Sequence, residues 1–120
     1  MKSDVCKKIV QLDDNILQAT LLDKSEVVDS YMRPDSPFEK NPPEKDEGFS
    51  GYLLTHTSKR NEERFGALVY HAIRHEKAEI LLVPVSGDFT LRLLVRPGTT
   101  TSDVIRRISG IKMPATAGTG

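Results

Sequence analysis

The sequence has little of what marks the more specialised classes of protein. It has one cysteine, Cys6, so no disulfide can form within the chain and a reducing compartment fits it best. It has no tryptophan and only four Phe and three Tyr, too few to predict a stacking platform for single-stranded nucleic acid. No apolar stretch approaches the length of a membrane span, and Met1 to Asp4 lead into no apolar signal segment. We therefore expect a cytoplasmic protein with no membrane partner.

Charge of one sign is not in excess either, because 17 Lys and Arg balance 17 Asp and Glu. This balance predicts no general affinity for nucleic acid or for anionic membranes. The sequence also contains no GxSxG, CxxC or HExxH string and no phosphate-binding GxxxxGK loop. Its adjacent carboxylates, at 13–14 and 62–63, would diverge on a helix or a strand, so neither pair predicts joint acid–base catalysis. We expect no enzymatic activity and no cofactor.

What the sequence does contain is a strong hairpin pattern at residues 78–96. Ile80 to Val85 is a nearly unbroken apolar run, which is typical of a strand covered on both faces. Residues 86–88, Ser-Gly-Asp, predict a turn. Strict alternation follows and places one apolar set on a single side, namely Phe89, Leu91, Leu93 and Val95. We place this hairpin at the centre of a sheet.

The segments before the hairpin predict a helix, a second hairpin, a loop and another helix. The first helix covers residues 3–14, and the strands cover 16–22 and 26–32, the latter polar enough for a sheet edge. Residues 33–47 hold four of the seven prolines and predict an exposed loop. A helix over 48–65 is predicted to end at Gly66.

After the hairpin, the pattern predicts a last helix capped by Thr101 or Ser102. A chain of 120 residues is long enough for one core and too short for two. We assign the domain to residues 1–112 and expect the small polar residues 113–120 to form a flexible tail.

Residues 67–77 fit either a helix or a strand, and the local pattern leaves both open. The choice between helix and strand decides whether His71 and His75, which form an HxxxH string, could bind one metal ion together. On a helix the two imidazoles would share a face and could bind zinc, but on a strand they would lie about 13 Å apart, four residues at ~3.3 Å each. A third ligand is absent in either case, so we expect no metal site.

The element order, helix, two strands, helix, three strands, helix, resembles that of roadblock, longin and profilin-like domains. Over residues 8–111 the sequence is similar to a family of small uncharacterised archaeal proteins, through short pieces at Lys8–Ile16, Val69–Ala72, Glu76-Lys77, Pro84, Leu94-Val95 and Pro97-Gly98. The resemblance implies that residues 67–76 are a strand. It therefore implies an α+β fold, with a five-stranded antiparallel sheet and helices on both faces.

The resemblance also implies what such a chain does. Roadblock-like domains are mostly non-catalytic, form homodimers or heterodimers, and serve small GTPases or larger assemblies as platforms. We expect an interaction module, a homodimer, with a small GTPase as a further partner and with contacts at Tyr52, Leu53 and Leu54. His71 and His75 would lie on the sheet edge where two copies pair, and their protonation would weaken the pairing towards pH ~5.5. The alternative is a small-molecule sensor with a ligand pocket between sheet and helix.

Overall fold

The computed structural model describes residues 5–24, 26–38, 61–85 and 89–109. Within these ranges the chain forms three helices and five strands. In chain order they are α1 (Val5–Leu12), β1 (Ile16–Asp23), β2 (Glu26–Met32), α2 (Glu62–Phe65), β3 (His71–Arg74), β4 (Glu79–Pro84), β5 (Phe89–Val95) and α3 (Thr101–Ile108).

The five strands form one sheet in the order β2-β1-β5-β4-β3, and every neighbouring pair is antiparallel. The two strands of the predicted central hairpin, β4 and β5, pair with each other, and β5 is the middle strand. β2 and β3 are the edges. The prediction of an α+β fold with a five-stranded antiparallel sheet is confirmed.

One face of the sheet packs against α1 and α3. α1 buries Val5, Cys6, Ile9 and Val10, and α3 buries Val104 and Ile108. These side chains form one core with alternate residues of the inner strands, Ala19, Leu21, Leu81, Val83, Phe89, Leu91, Leu93 and Val95. Since a large aliphatic side chain contributes about 1.5–3 kcal/mol when fully buried, this face supplies much of the driving force for folding.

The opposite face is buried as well, although its residues are partly polar. Its inner positions include Gln18, Thr20, Leu22, Leu82, Thr90 and Arg92, all less than a tenth exposed. The hydroxyl groups of Thr20 and Ser30 lie 2.9 Å apart and share a hydrogen bond. Of the stretch 48–65, which was predicted to be a helix, the structure describes residues 61–65, and there α2 stops before Gly66 (φ +86°) as expected.

Three sequence predictions need correction at their boundaries. The first helix, expected over 3–14, ends at Leu12, so residues 13 and 14 lie outside it. The strand expected over residues 67–76 is confirmed, but it is shorter, because only His71–Arg74 pair with β4. The last helix starts at Thr101 with Thr100 at the N-cap position, so Thr101 and Ser102 lie inside the helix and do not cap it. The expected tail at 113–120 lies outside the described residues.

Candidate interaction edge

β3 offers one side of its backbone for pairing. Its four residues pair in register with β4, from His71 opposite Leu82 to Arg74 opposite Glu79. Within the described ranges no strand lies on its other side. An unpaired strand edge presents a row of N–H and C=O groups that a further strand can bind.

Large apolar side chains are exposed at and just before β3. Val69 is 59% exposed and Phe65 is 72% exposed, and Tyr70 and Ile73 are each exposed by more than a third. We call these four residues, together with β3, the β3 edge. A cluster of exposed apolar side chains beside an unpaired strand is typical of a protein-interaction site.

The two predicted histidines both lie at this edge. His71 is half-buried in β3, and its Nε2 atom is buried without a hydrogen-bond partner among the residues that the structure describes. His75 follows the strand and is exposed, and its backbone N–H donates to the carbonyl of Ala78 at 2.8 Å. The strand spacing keeps the two imidazoles apart. Across the described ranges, no three His, Cys, Asp or Glu side chains come together as metal ligands.

The β2 edge, on the other side of the sheet, is built differently. Leu21 pairs with Asp29 and Leu22 pairs with Val27, so Val28 is an extra residue that forms a β-bulge. A bulge twists an edge strand and interrupts its hydrogen-bonding row, which is one of the ways in which proteins prevent unwanted strand pairing. Val27 and Val28 are exposed here, but the strand that carries them is irregular.

Cys6 does not have the properties of a catalytic nucleophile. Its side chain is fully buried in α1. Burial is the largest cause that raises the pKa of its thiol far above the usual range, and the carboxylate of Asp29 raises it further by its charge and by a hydrogen bond. A protonated, inaccessible thiol cannot attack a substrate.

A shallow cavity of about 300 Å³ lies between α3, β4 and the segment that leads into β3. Its lining is almost wholly apolar, since Ser109 contributes its one polar side chain beside Leu68, Val69, Val83, Pro84, Val85, Ile105 and Ile108. Ligand pockets usually combine apolar walls with a few convergent polar groups that fix orientation. This cavity has the size of a small pocket without such groups.

A second cavity, of about 250 Å³, is polar and lies where α3 begins. Its main charged groups already have partners. The carboxylate of Asp13 lies 3.6 Å from the guanidinium of Arg107 and also accepts the N–H of Asn15 at 2.9 Å. Asp103, another lining residue, pairs with Arg106. The charges of this cavity are therefore neutralised within the fold.

The structure thus brings together only part of the predicted contact set. His71 and His75 lie at the β3 edge, whereas Tyr52, Leu53 and Leu54 lie outside the described residues. The sequence interpretation did not single out Phe65, Val69, Tyr70 and Ile73. The alternation of Val69, His71 and Ile73 was visible and the resemblance implied an edge position, but the exposure of Val69 and Ile73 is known only from the structure.

None of the helices in the described part of the chain is both long enough and apolar enough to cross a membrane.

Comparison with known proteins bears on the fold. No protein-family model matches the sequence, and no curated protein matches it either, so the likeness to an archaeal family remains a prediction.

A roadblock/LC7 domain from Streptomyces avermitilis has a similar structure, with a TM-score of 0.69 at 14% identity over 91% of this chain and 90% of that one. The gliding protein MglB from Thermus thermophilus gives a TM-score of 0.69 at 13% identity, over 88% of this chain and 78% of its own. An MglB structure with a tetrameric arrangement gives 0.70 at 14%, with the same coverage. At this identity the likeness shows that the chain has a roadblock-like fold.

Proposed function

We propose that this chain is a cytoplasmic, non-catalytic protein-interaction module that forms a homodimer through its β3 edge. The observation that carries the proposal is the difference between the two edges of the sheet. The β3 edge has regular backbone pairing and four exposed apolar side chains, whereas the β2 edge has a bulge at Val28.

The β3 edge combines the two contributions that strand addition needs. The unpaired backbone of β3 provides hydrogen bonds, and alternate side chains such as Val69 and Ile73 provide apolar contacts. Exposed apolar area of this kind contributes roughly 25 cal/mol for each Å² that an interface buries. A second copy of the chain supplies a matching edge.

Pairing through β3 alone also gives an assembly that closes. Two copies related by a two-fold axis would form one ten-stranded sheet, five strands from each copy, with β2 at both ends. Because each β2 carries a bulge, the sheet has no regular edge left on which to grow. The tetrameric arrangement of an MglB structure supports the view that chains with this fold assemble into larger units.

A small GTPase or a sister subunit is the further partner class, as the roadblock resemblance implies. The segment around Tyr52, Leu53 and Leu54 remains our proposal for that contact. Capture of partners from native lysate on the immobilised chain, once with a non-hydrolysable GTP analogue and once with GDP, tests this part. Recovery of a GTPase with one nucleotide and not with the other supports the GTPase contact. Recovery of no GTPase with either nucleotide contradicts it.

Sedimentation velocity of matched variants tests the homodimer. Val69→Glu places a carboxylate at the β3 edge, and Val28→Glu makes the same change at the β2 edge, where the side chain is 48% exposed. We expect the wild type and Val28→Glu to sediment as dimers and Val69→Glu as a monomer with an unchanged far-UV spectrum. A monomeric wild type, or dimers in all three, would refute pairing through β3.

The sensor alternative is favoured by one observation, the apolar cavity of about 300 Å³ beside α3. Thermal shift in the presence of a panel of small apolar ligands tests it. A saturable rise in Tm that Ile105→Trp abolishes would favour a ligand site, because the larger side chain would fill the cavity. No rise with any ligand would leave the interaction module as the function.

A further inference from the structure

The geometry of antiparallel pairing restricts how two β3 strands can meet. Successive residues of a strand direct their N–H and C=O groups to opposite edges. Two residues that face each other across an antiparallel ladder direct these groups either both towards each other or both away. Two neighbouring residues therefore cannot face each other in a symmetric pair. A two-fold axis between identical antiparallel strands must therefore lie midway between the two copies of one residue, which then faces itself. We call this an axis through that residue.

An axis through residue 71 matches the exposed apolar side chains best. It places Val69 of each copy opposite Ile73 of the other, and Tyr70 opposite Ala72. All three exposed apolar side chains of the pairing segment then meet apolar partners. Directly opposed apolar pairs stabilise the pairing of two strands, and symmetry makes each contact twice.

The neighbouring axes match these side chains less well. An axis through residue 70 places Val69 opposite His71. An axis through residue 72 places Val69 opposite the imidazole of His75. An axis through residue 73 places Tyr70 opposite Glu76. Each of these arrangements sets an exposed apolar side chain against a polar or charged one, which reduces the apolar area that pairing removes from water.

A second observation concerns the residue on the preferred axis. The Nε2 atom of His71 is buried and unpartnered within the described ranges of the single chain. Atoms of its own chain cover that nitrogen, so a second copy does not reach it, and the two facing rings would touch through the exposed part of each half-buried His71.

We infer that the two-fold axis of the homodimer passes through His71, so that the two His71 side chains face each other and Val69 of each copy lies opposite Ile73 of its partner. This inference rests on the proposed pairing through β3 and adds its register. The ladder covers residues 69–73 of each copy, which extends β3 by the two residues before it.

Disulfide formation between single-cysteine positions measures this register. Directly opposed residues have Cβ atoms about 4.5–5.5 Å apart, which is close enough for a disulfide after small adjustment. Residues one pair further along are too far apart to form one. Only the residue on the axis faces itself. We therefore expect oxidised glutathione to cross-link His71→Cys to itself, and a mixture of Val69→Cys and Ile73→Cys to cross-link with each other. The buried Cys6 stays in place, and the wild type is the control for it.

Val69→Cys alone, Ile73→Cys alone and Ala72→Cys alone are the comparison variants and should stay uncross-linked. Self-cross-linking of Ala72→Cys, Ile73→Cys or Tyr70→Cys in place of His71→Cys would put the axis elsewhere and overturn the inference. Sedimentation of each reduced variant separates the two proposals. Monomers would refute the homodimer itself, while dimers in which His71→Cys does not cross-link would refute only the register.

Discussion

The guanidinium group of Arg33 donates a 2.8 Å hydrogen bond to the backbone carbonyl of Asp13, just beyond the end of α1. The same Nη2 atom donates to the carbonyl of Val10, and Nε donates to the carbonyl of Ile16 at 3.1 Å. The last carbonyls of a helix have no partner within the helix. Arg33 therefore caps the C-terminus of α1 with a positive charge, which the helix dipole also favours there.

The other end of α1 is held by β2, the strand that Arg33 directly follows. The backbone N–H of Cys6 donates to Oδ2 of Asp29 at 3.0 Å, so β2 places a carboxylate at the N-terminus of the helix. Four residues of a strand span about 13 Å and eight residues of a helix span about 12 Å. The spacing of Asp29 and Arg33 thus matches the length of α1.

Arg33→Ala should lower the free energy of unfolding by about 2–3 kcal/mol, because three backbone carbonyls lose a charged donor. Urea denaturation measures the change. Arg33→Lys should recover only part of it, since an ammonium group lacks the planar fork that reaches three acceptors.

Arg106→Ala is the matched control for Arg33, because its side chain is 76% exposed and, within the described ranges, pairs with Asp103 of the same helix. We expect a change within about 0.5 kcal/mol. An equal loss for the two arginine variants would show that Arg33 does not cap α1.

Asp29→Ala should cost about 1 kcal/mol, the usual loss for removing an acceptor at a helix N-terminus. Asp29→Asn keeps an oxygen acceptor and loses the charge, so we expect an intermediate loss. Thermal unfolding followed by circular dichroism measures both. If Asp29→Asn lowered the stability as much as Asp29→Ala, the negative charge of Asp29 and not its hydrogen bond would be the important feature.

The buried thiol of Cys6 predicts a loss of stability at high pH. Its pKa is raised in the fold, chiefly by burial, whereas in the unfolded chain the thiol ionises near its ordinary pKa of 9.0. Below that pH the thiol keeps its proton in both the folded and the unfolded chain, and its contribution to the free energy of unfolding is fully present. Above it only the unfolded chain releases the proton, so the free energy of unfolding falls by up to about 1.4 kcal/mol per pH unit.

Tyr and Lys side chains also titrate at high pH, so the comparison with Cys6→Ala isolates the thiol. We expect the wild type to lose about 2 kcal/mol more than Cys6→Ala between about pH 8 and 10.5. Parallel stability curves for the two proteins would mean that the thiol is not protected in the fold.

The proposed imidazole pair predicts that acid weakens the homodimer. Two imidazolium rings at the axis would place like charges directly opposite each other. On the described strands, Leu82 lies beside His71 and Arg92 follows in the same row, while Glu79, the carboxylate of β4, lies opposite Arg74. We expect the association constant to fall at least tenfold from about pH 8 to 5.5.

Sedimentation equilibrium at the two pH values provides the measurement. His71→Gln should associate equally at both, and His75→Gln should keep most of the wild-type dependence. Identical wild-type association constants at the two pH values would exclude a role for His71 in pairing.

The helices and strands were accessible from local patterns because their signals are short-range. The strict alternation from Phe89 to Val95 predicted the core-facing side of β5 correctly. It gave no sign that Thr90 and Arg92, on the other side, are also buried, because that depends on what packs against the sheet. The residues around β3 stayed ambiguous for a related reason, since their apolar positions fit two periodicities.

The sequence alone determined the kind of elements, the central hairpin and the absence of recognisable catalytic motifs, since each depends on neighbouring residues or on composition. The polarity of residues 26–32 already favoured an edge position for β2, and the family resemblance implied one for His71 and His75. Only the tertiary structure decided that one edge carries a bulge while the other carries exposed apolar side chains. Strand order is set by contacts between residues far apart in the chain, such as β1 with β5. No local pattern contains that information, and the proposed function depends on it.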